Sequence, residues 1–209
     1  MIKVEQAEKL IQSQSRDFGT EQIPFESALG RVLAEDIIAD RDLPPFNRVT
    51  MDGIAVSYQS IKNGIRSFKI KATQAAGERP IDIDQPDECI EIMTGAALPV
   101  SLDTVIRYED IDIKDNIATV SVPEITQGQN LHLKGADKRE GEVVAGKNQL
   151  ITPAIISLAA SVGKTVLLVK KLPRIVIISS GDELVNVDEQ PSPTQIRKSN
   201  SYTIKAVLS

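Results

Sequence analysis

The sequence predicts a multidomain protein of the α+β and β classes: a discontinuous α/β scaffold domain with an inserted small β-barrel-like domain, followed by the first strand and helix of a truncated parallel α/β domain. Three observations predict it. Residues 1–42 and 130–171 mix helical and strand patterns, residues 43–129 contain short strands between turns, and residues 172–209 begin with an apolar run typical of a buried parallel strand. The first two ranges are expected to form one domain, because neither has an obvious core alone.

Composition limits the kinds of function to consider. The chain has 209 residues, of which 41% are hydrophobic and 25% charged, and a net charge of −5. This balance is typical of a globular protein and argues against nucleic acid as a partner. The single cysteine and single histidine cannot form an internal disulfide or a usual zinc site. A signal peptide and an apolar run of membrane-spanning length are absent from the sequence, so the cytoplasm is the expected location and no membrane partner is expected.

The first part of the scaffold begins with an amphipathic helix. Apolar residues recur at helical spacing over residues 2–11, so this helix is expected to pack on a neighbour. Residues 24–30 predict a short helix that ends at a glycine, and residues 31–38 predict a strand. The charged residues of this part are expected to be structural.

A stiff segment, residues 43–56, joins the scaffold to the insert. Pro44–Pro45 favours an extended backbone, and Phe46 is expected to be a buried anchor. Arg48 carries a guanidinium suited to oxyanions, and Asp52–Gly53 presents a carboxylate on a turn in which glycine permits a positive φ. These features together suggest a site. The plainer interpretation is a stiff connection with a turn and a surface salt bridge.

The insert is expected to consist of short strands, separated by glycine, proline and an Asp115–Asn116 turn. The predicted strands are 68–72, 89–93, 104–108 and 117–122. Thr94–Gly95 follows the second of them, where a hydroxyl and a backbone N–H can meet one anion. A simple turn at the strand end is the alternative.

A charged loop with two glycines follows at residues 130–142. Its glycines permit exposed backbone donors, and Asp137 is suited to hold a cation or a water molecule. His132 is the sole histidine, and its imidazole ordinarily titrates near neutral pH. A solvated charged loop is the alternative interpretation.

The chain then returns to scaffold and opens a further domain. Thr152 and Pro153 predict the start of a helix over 154–161, and residues 165–169 predict a strand. Residues 174–178 predict a strand buried on both faces, with Ser180–Gly181 at its carboxyl end, where open α/β sheets bind ligands. Asp182 and Glu183 would project into the same crevice, and a helix is expected over 201–208.

Four of these stretches, taken in order, resemble one family. They are Pro44-Pro45-Phe46 with Met51-Asp52-Gly53, then Ile92-Met93-Thr94-Gly95-Ala96, then Gly135-Ala136-Asp137, then Ser180-Gly181-Asp182-Glu183-Leu184. No single stretch is specific, but their order and spacing are similar to the MoeA family, the molybdopterin molybdenumtransferases related to the gephyrin E domain. The resemblance covers the chain to Ser209 and about the N-terminal half of the family's usual length. It implies that residues 172–209 begin a molybdopterin-binding domain.

The resemblance implies a reaction at the end of molybdenum cofactor synthesis. Adenylylated molybdopterin is cleaved at its pyrophosphate link with the help of a divalent metal such as Mg²⁺, molybdate is inserted into the dithiolene, and AMP is released. It implies catalytic roles for Asp52, Thr94, Asp137 and Glu183. Substrate binding is implied for their neighbours Gly53, Gly95, His132, Lys134, Gly135, Ser180, Gly181 and Asp182; the metal ligands stay unassigned.

The resemblance also implies partners: a homodimer with a composite active site, and the enzyme that adenylylates molybdopterin. By itself the 209-residue chain is expected to have little activity. Four places depart from the family pattern: Asn47-Arg48-Val49-Thr50 for Asp-Asn-Ser, His132 for arginine, Lys138 for an apolar residue and Arg197-Lys198 for Tyr-Asp. Two alternatives stay open, a non-enzymatic gephyrin-like scaffold and a metal-dependent phosphohydrolase.

Overall fold

A computed structural model describes residues 2–14 and 16–208, and its fold is of the α+β class. The chain divides into two compact units, one of Glu21–Val169 and one of Met1–Thr20 with Lys170–Ser209. None of the helices in the described ranges is long and apolar enough to cross a membrane. The larger unit contains most of the stretches that the sequence singles out.

The described residues contain few helices and many short strands. The helices are α1 (Val4–Ser13), α2 (Tyr58–Lys62), α3 (Pro153–Ser161) and α4 (Asn200–Leu208), with single 3₁₀ turns at Phe25–Ser27 and Tyr108–Asp110. The strands are β1 (Thr20–Pro24), β2 (Ile37–Ile38), β3 (Arg48–Val49), β4 (Gly53–Val56), β5 (Ser67–Gln74), β6 (Glu88–Ile92), β7 (Thr104–Arg107), β8 (Ile111–Lys114), β9 (Ile117–Val120), β10 (Leu131–His132), β11 (Val143–Ala145), β12 (Val166–Lys170), β13 (Leu184–Val185) and β14 (Ile196–Arg197).

A six-stranded mixed sheet forms the centre of the larger unit. Its strand order is β7-β4-β6-β5-β9-β8, with β5 and β6 parallel and the other neighbours antiparallel. The four strands predicted between residues 68 and 122 are confirmed as β5, β6, β7 and β9. Asp115 and Asn116 both adopt positive φ in the β8–β9 hairpin, as a two-residue turn of this kind requires.

The two faces of this sheet bury separate apolar clusters. Ile54 and Phe68 belong to one cluster, and Ile90 and Ile92 belong to the other. Cys89 is fully buried in the first cluster, and this burial raises the pKa of its thiol to about 12, so it serves as a packing residue.

A third cluster joins the two parts of the predicted scaffold. It packs Leu33 and Ile37 against Ile155, Leu167 and Val169. The predicted helix and strand in this region are confirmed as α3 and β12. The Thr152 hydroxyl accepts a hydrogen bond from the N–H of Ile155 (3.4 Å), as expected for a helix cap followed by proline.

Several expectations for single elements need correction. The run at 174–178 forms no strand, and its side chains are largely exposed, because no strand among the described residues pairs with it. Helix α1 is confirmed but buries none of its residues. The short helix predicted at 24–30 is only a 3₁₀ turn, and most of 31–38 is irregular, with a strand at Ile37–Ile38. The helix predicted at 201–208 is confirmed as α4.

Candidate functional site

The site is built on the extended segment 47–53, which lies between two other parts of the larger unit. On one side, the N–H of Val49 donates to the carbonyl of Ala96 (3.0 Å), and the N–H of Gly95 donates to Val49 (2.9 Å). On the other side, the N–H of Thr50 donates to Asn130 (3.0 Å), and β3 pairs with β10. The segment therefore holds the turn at 94–97 close to the loop that begins at 130.

Two of the predicted catalytic residues contact each other directly. Oδ1 of Asp52 accepts hydrogen bonds from the backbone N–H of Thr94 (2.6 Å) and from its hydroxyl (2.7 Å). Both bonds stabilise the charged form and so lower the pKa of Asp52 below its ordinary value. The bond from the backbone N–H has the larger effect. Oδ2 of Asp52 makes no hydrogen bond to the described residues, so it can accept a proton or a water molecule, or bind a cation.

The contact also changes the role expected of Thr94 and its neighbours. Both donors of Thr94 are used by Asp52, and the N–H of Gly95 is used by Val49. The N–H of Gly135 likewise donates to the carbonyl of Pro44 (2.9 Å). The expected direct contact of these donors with an oxyanion is therefore not available in this conformation. Thr94 instead fixes the Asp52 carboxylate.

The same hydrogen-bonding arrangement occurs once more in the larger unit. Oδ1 of Asp82 accepts hydrogen bonds from the N–H (3.1 Å) and the hydroxyl (2.7 Å) of Ser101. Both bonds lower the pKa of Asp82, and the bond from the hydroxyl has the larger effect. An aspartate held by a hydroxyl residue is thus not specific for a site. The pair of Asp52 and Thr94 is distinguished by its position on the 47–53 segment.

Gly53 is required for a different reason from the one the sequence suggested. Its φ is not positive; it lies in β4, and a Cβ at this position would overlap the carbonyl oxygen of Ile106 and lie 2.7 Å from Cα of Arg107. Only glycine permits β7 to approach this closely. Gly95 and Gly135, in contrast, do adopt positive φ, 90° and 71°.

Asp52 is connected to Glu91 through Tyr108, and the sequence did not indicate either Tyr108 or Glu91 as part of the site. The N–H of Tyr108 donates to the carbonyl of Asp52 (3.1 Å), while its phenol donates to Oε1 of Glu91 (2.8 Å). Burial, and to a smaller extent the bond to Glu91, raises the pKa of Tyr108, so the phenol stays protonated. Glu91 alternates with apolar residues in its predicted strand, a pattern expected of an outward-facing residue, and this pattern gave no indication of the contact.

A second group of charged side chains forms where β3 pairs with β10. Nη2 of Arg48 lies 3.1 Å from Nδ1 of His132, and Nε2 of His132 lies 2.9 Å from Oδ1 of Asp137. The β3–β10 register places Arg48 directly opposite His132. Of the predicted site residues, His132 and Asp137 are therefore brought together, on the opposite side of the 47–53 segment from Thr94.

The loop that carries Asp137 is held by two polar side chains. Oδ1 of Asn47 accepts from the N–H of Lys134 (3.0 Å), and Oδ1 of Asp42 accepts from the N–H of Glu140 (3.0 Å). The bond from Glu140 is the first cause of the lowered pKa of Asp42, and Nζ of Lys134 lies 3.5 Å from the same carboxylate. Lys134 is thus partly neutralised by Asp42, and the 134–140 loop has a defined conformation.

An apolar cleft of about 570 Å³ opens beside this group. Its lining includes the apolar side chains of Pro45, Phe46 and Leu158, together with Arg48 and Asp137. Phe46 is 39% exposed, so it is not the buried anchor that the sequence suggested. It forms part of the cleft wall instead.

The remaining predicted site residues belong to the smaller unit. Asp182 and Glu183 are exposed, and the strand that was expected to precede them is not formed. Gly181 adopts a φ of 147°, and a Cβ there would lie 2.6 Å from Oε1 of Glu183. Ser180 lines a cavity of about 310 Å³ with residues 196–201, next to the parallel pair β13–β14.

The described residues contain no metal site built from protein ligands alone. Within residues 2–14 and 16–208, no three His, Cys, Asp or Glu side chains are grouped so that they could hold a metal ion. A Mg²⁺ ion that binds with substrate phosphates needs only one or two carboxylates from the protein. Oδ2 of Asp52 is suited to supply one of them.

Known proteins that resemble the chain agree with one another. Residues 2–163 match the family model described as the MoeA N-terminal region, domains I and II. A molybdopterin molybdenumtransferase of Synechocystis is 40% identical over 209 residues, and one of Staphylococcus epidermidis is 30% identical over 213. The alignments cover 100% and 99% of this chain but 54% and 50% of those relatives. The chain therefore spans about half the length of the curated relatives it matches.

Solved structures give the same result. The crystal structure of a molybdopterin biosynthesis MoeA protein from Pyrococcus horikoshii OT3 superposes with a TM-score of 0.89 at 27% identity. The match covers 100% of this chain and 56% of that protein. The similarity thus extends over both units of the chain.

Proposed function

The chain belongs to the family of the MoeA N-terminal region, and on that premise we propose that it takes part in inserting molybdate into adenylylated molybdopterin, with release of AMP. One observation supports this proposal most directly: Asp52 is held by Thr94 through two short hydrogen bonds, on the segment that also borders the Asp137 loop. An ordered carboxylate can serve a polyanionic substrate by holding a divalent metal ion or by handling protons and water.

Each of these side chains has a chemical role in the proposal. Asp52 has one oxygen fixed and one available, so it can orient water or accept a proton during cleavage of the pyrophosphate link. If Mg²⁺ is used, Oδ2 of Asp52 would hold it together with substrate phosphates, and the ion would neutralise charge on the phosphoryl oxygens. Asp137 would handle a proton on the other side of the segment, and Lys134 would attract the anion.

The finer domain organisation is part of the same proposal. We infer that residues 43–129 form a β-barrel-like insert in a scaffold of 1–42 and 130–171, and that 172–209 begin the molybdopterin-binding domain. The cluster that joins Leu33 to Leu167 supports the scaffold, and the sheet clusters around Ile54 and Ile90 support the insert.

The proposal includes a cytoplasmic homodimer with a composite site. A second copy would bring Glu183, with Ser180, Gly181 and Asp182, toward the group of Asp52, Thr94 and Asp137. Gly53, Gly95 and Gly135 would then shape the walls of the site, and His132 would support Asp137. The adenylyltransferase that makes the substrate is the expected further partner.

The test is Mg²⁺-dependent release of AMP from adenylylated molybdopterin by the full-length protein, with and without molybdate. Asp52→Asn should lower the rate about 100-fold or more, because it removes a carboxylate that handles protons. Asp82→Asn is the matched control, since Asp82 has the same hydrogen-bonding arrangement with Ser101. It should leave the rate unchanged.

Other outcomes would contradict the proposal. A rate that does not depend on molybdate would support a phosphohydrolase, and no release at all would support a gephyrin-like scaffold. Equal rates for Asp52→Asn and Asp82→Asn would show that Asp52 is structural.

A further inference from the structure

Arg48, His132 and Asp137 form a continuous hydrogen-bonded chain. Arg48 and Asp137 contact opposite nitrogens of the same imidazole ring, at 3.1 and 2.9 Å. The contact joins Arg48 and His132 directly. Eighty-four positions separate these two residues in the sequence, and the β3–β10 pairing brings them together.

The protons of this chain can be assigned from its chemistry. A guanidinium has only donors, so Nδ1 of His132 must accept the hydrogen bond from Arg48 and cannot carry a proton. Nε2 then carries the ring proton, which it donates to the carboxylate of Asp137. A doubly protonated ring would instead turn an N–H toward Arg48. The contacts therefore select the neutral Nε2–H tautomer.

The carboxylate of Asp137 depends on this ring for its orientation. Its side chain is 60% exposed, and His132 is its side-chain partner among the described residues. The backbone N–H of Asp137 is used by the carbonyl of Leu43 (2.9 Å), which fixes the main chain but not the carboxylate. Without His132, the carboxylate would be free to rotate in solvent.

We propose that Arg48 and His132 are positioning residues: Arg48 fixes the tautomer of His132, and His132 aims the carboxylate of Asp137 into the site. This inference rests on the proposed function, in which Asp137 handles a proton. Oδ1 of Asp137 is held by the ring, and Oδ2 is left for substrate or water. Arg48 thus acts through Asp137 and does not itself contact the reacting atoms.

The tautomer can be measured directly, because His132 is the only histidine in the sequence. Its two ring nitrogens will give unambiguous ¹H–¹⁵N long-range correlations at about pH 8, above the ordinary titration range of imidazole. The wild-type chain should show the Nε2–H form. Arg48→Met removes one of the two contacts that select this form, so a detectable share of the Nδ1–H form should appear beside Nε2–H. Arg79→Met, which changes an exposed arginine elsewhere, should leave the spectrum unchanged.

Kinetics of the full-length protein separate a positioning role from a structural one. His132→Gln keeps a side-chain N–H for Asp137 and should retain most of the wild-type kcat. His132→Leu has no donor and should lower kcat about tenfold with little change in KM, the loss expected for one charge-assisted hydrogen bond. Backbone amide spectra that match the wild type will show that both variants are folded.

The proposal would be overturned by an Nδ1–H tautomer, or by a spectrum that Arg48→Met does not change. Equal kcat values for His132→Gln and His132→Leu would also overturn it. Failure of the proposed function is distinguishable, because it would abolish molybdate-dependent AMP release in the wild type and leave the tautomer result intact.

Discussion

At the scale of single residues, Asp52 and Thr94 are the best-defined pair of the candidate site. The sequence indicated both as site residues, but it suggested that Thr94 contacts an anion. In the structure, the N–H and the hydroxyl of Thr94 both donate hydrogen bonds to Asp52. That could not be predicted from a strand ending in Thr-Gly, because the partner lies 42 positions earlier and is placed by the fold.

Acid should break this pair only below the ordinary titration range of aspartate. The folded pKa of Asp52 is lowered, so its bonds to Thr94 are fully present above the unfolded value of about 3.9 and are lost as the pH falls through the lower folded value. The amide resonance of Thr94 should therefore be constant down to about pH 4 and shift below it.

The amide of Ser101 offers an internal comparison, because Asp82 is held in the same way and its pKa is also lowered. Both amides should respond in the same acidic range. A midpoint for Thr94 at or above the ordinary value of about 3.9 would contradict the hydrogen bonds described for Asp52.

At the scale of elements, the 47–53 segment organises the site by pairing on both sides. Its proline-rich entry was predicted to be extended, but Pro44, Pro45 and Phe46 form bends that follow a cis Leu43–Pro44 peptide bond. The alternating apolar residues of the insert were sufficient to predict β5, β6, β7 and β9. The short pairs β3–β10 and β2–β11 were not predictable. Each strand has only two or three residues, too few for a periodic pattern, and each pairing joins distant parts of the chain.

Gly53→Ala tests how closely the end of this segment approaches β7. The new Cβ would overlap the carbonyl of Ile106, so the strands must separate, and we expect a loss of about 1–3 kcal/mol in the free energy of unfolding. Urea denaturation measures it. Gly146→Ala is the control: its φ is not positive and its nearest neighbour would lie 3.7 Å away, so the change should stay within about 0.5 kcal/mol. Equal effects would contradict the close approach.

At the scale of the whole molecule, the sequence predicted the α+β class and the family, since four stretches in the right order carry information that none has alone. The prediction of a strand at residues 174–178 was wrong. Continuous β-branched residues indicate a buried parallel strand, yet a strand forms only where another strand pairs with it, and the described chain offers none there. The pattern of apolar residues indicates which secondary structure a segment prefers, whereas strand pairing depends on the rest of the fold.

In the proposed reaction, Asp52 and Thr94 act as one unit when adenylylated molybdopterin is cleaved. A double-mutant cycle on molybdate-dependent AMP release by the full-length protein tests it most directly, with Asp52→Asn, Thr94→Val and their combination. Thr94→Val alone should lower the rate of AMP release about tenfold, the loss expected for one charge-assisted hydrogen bond. In the Asp52→Asn background, Thr94→Val should lower the rate almost no further. Losses that multiply in the double variant would show that Asp52 and Thr94 act independently.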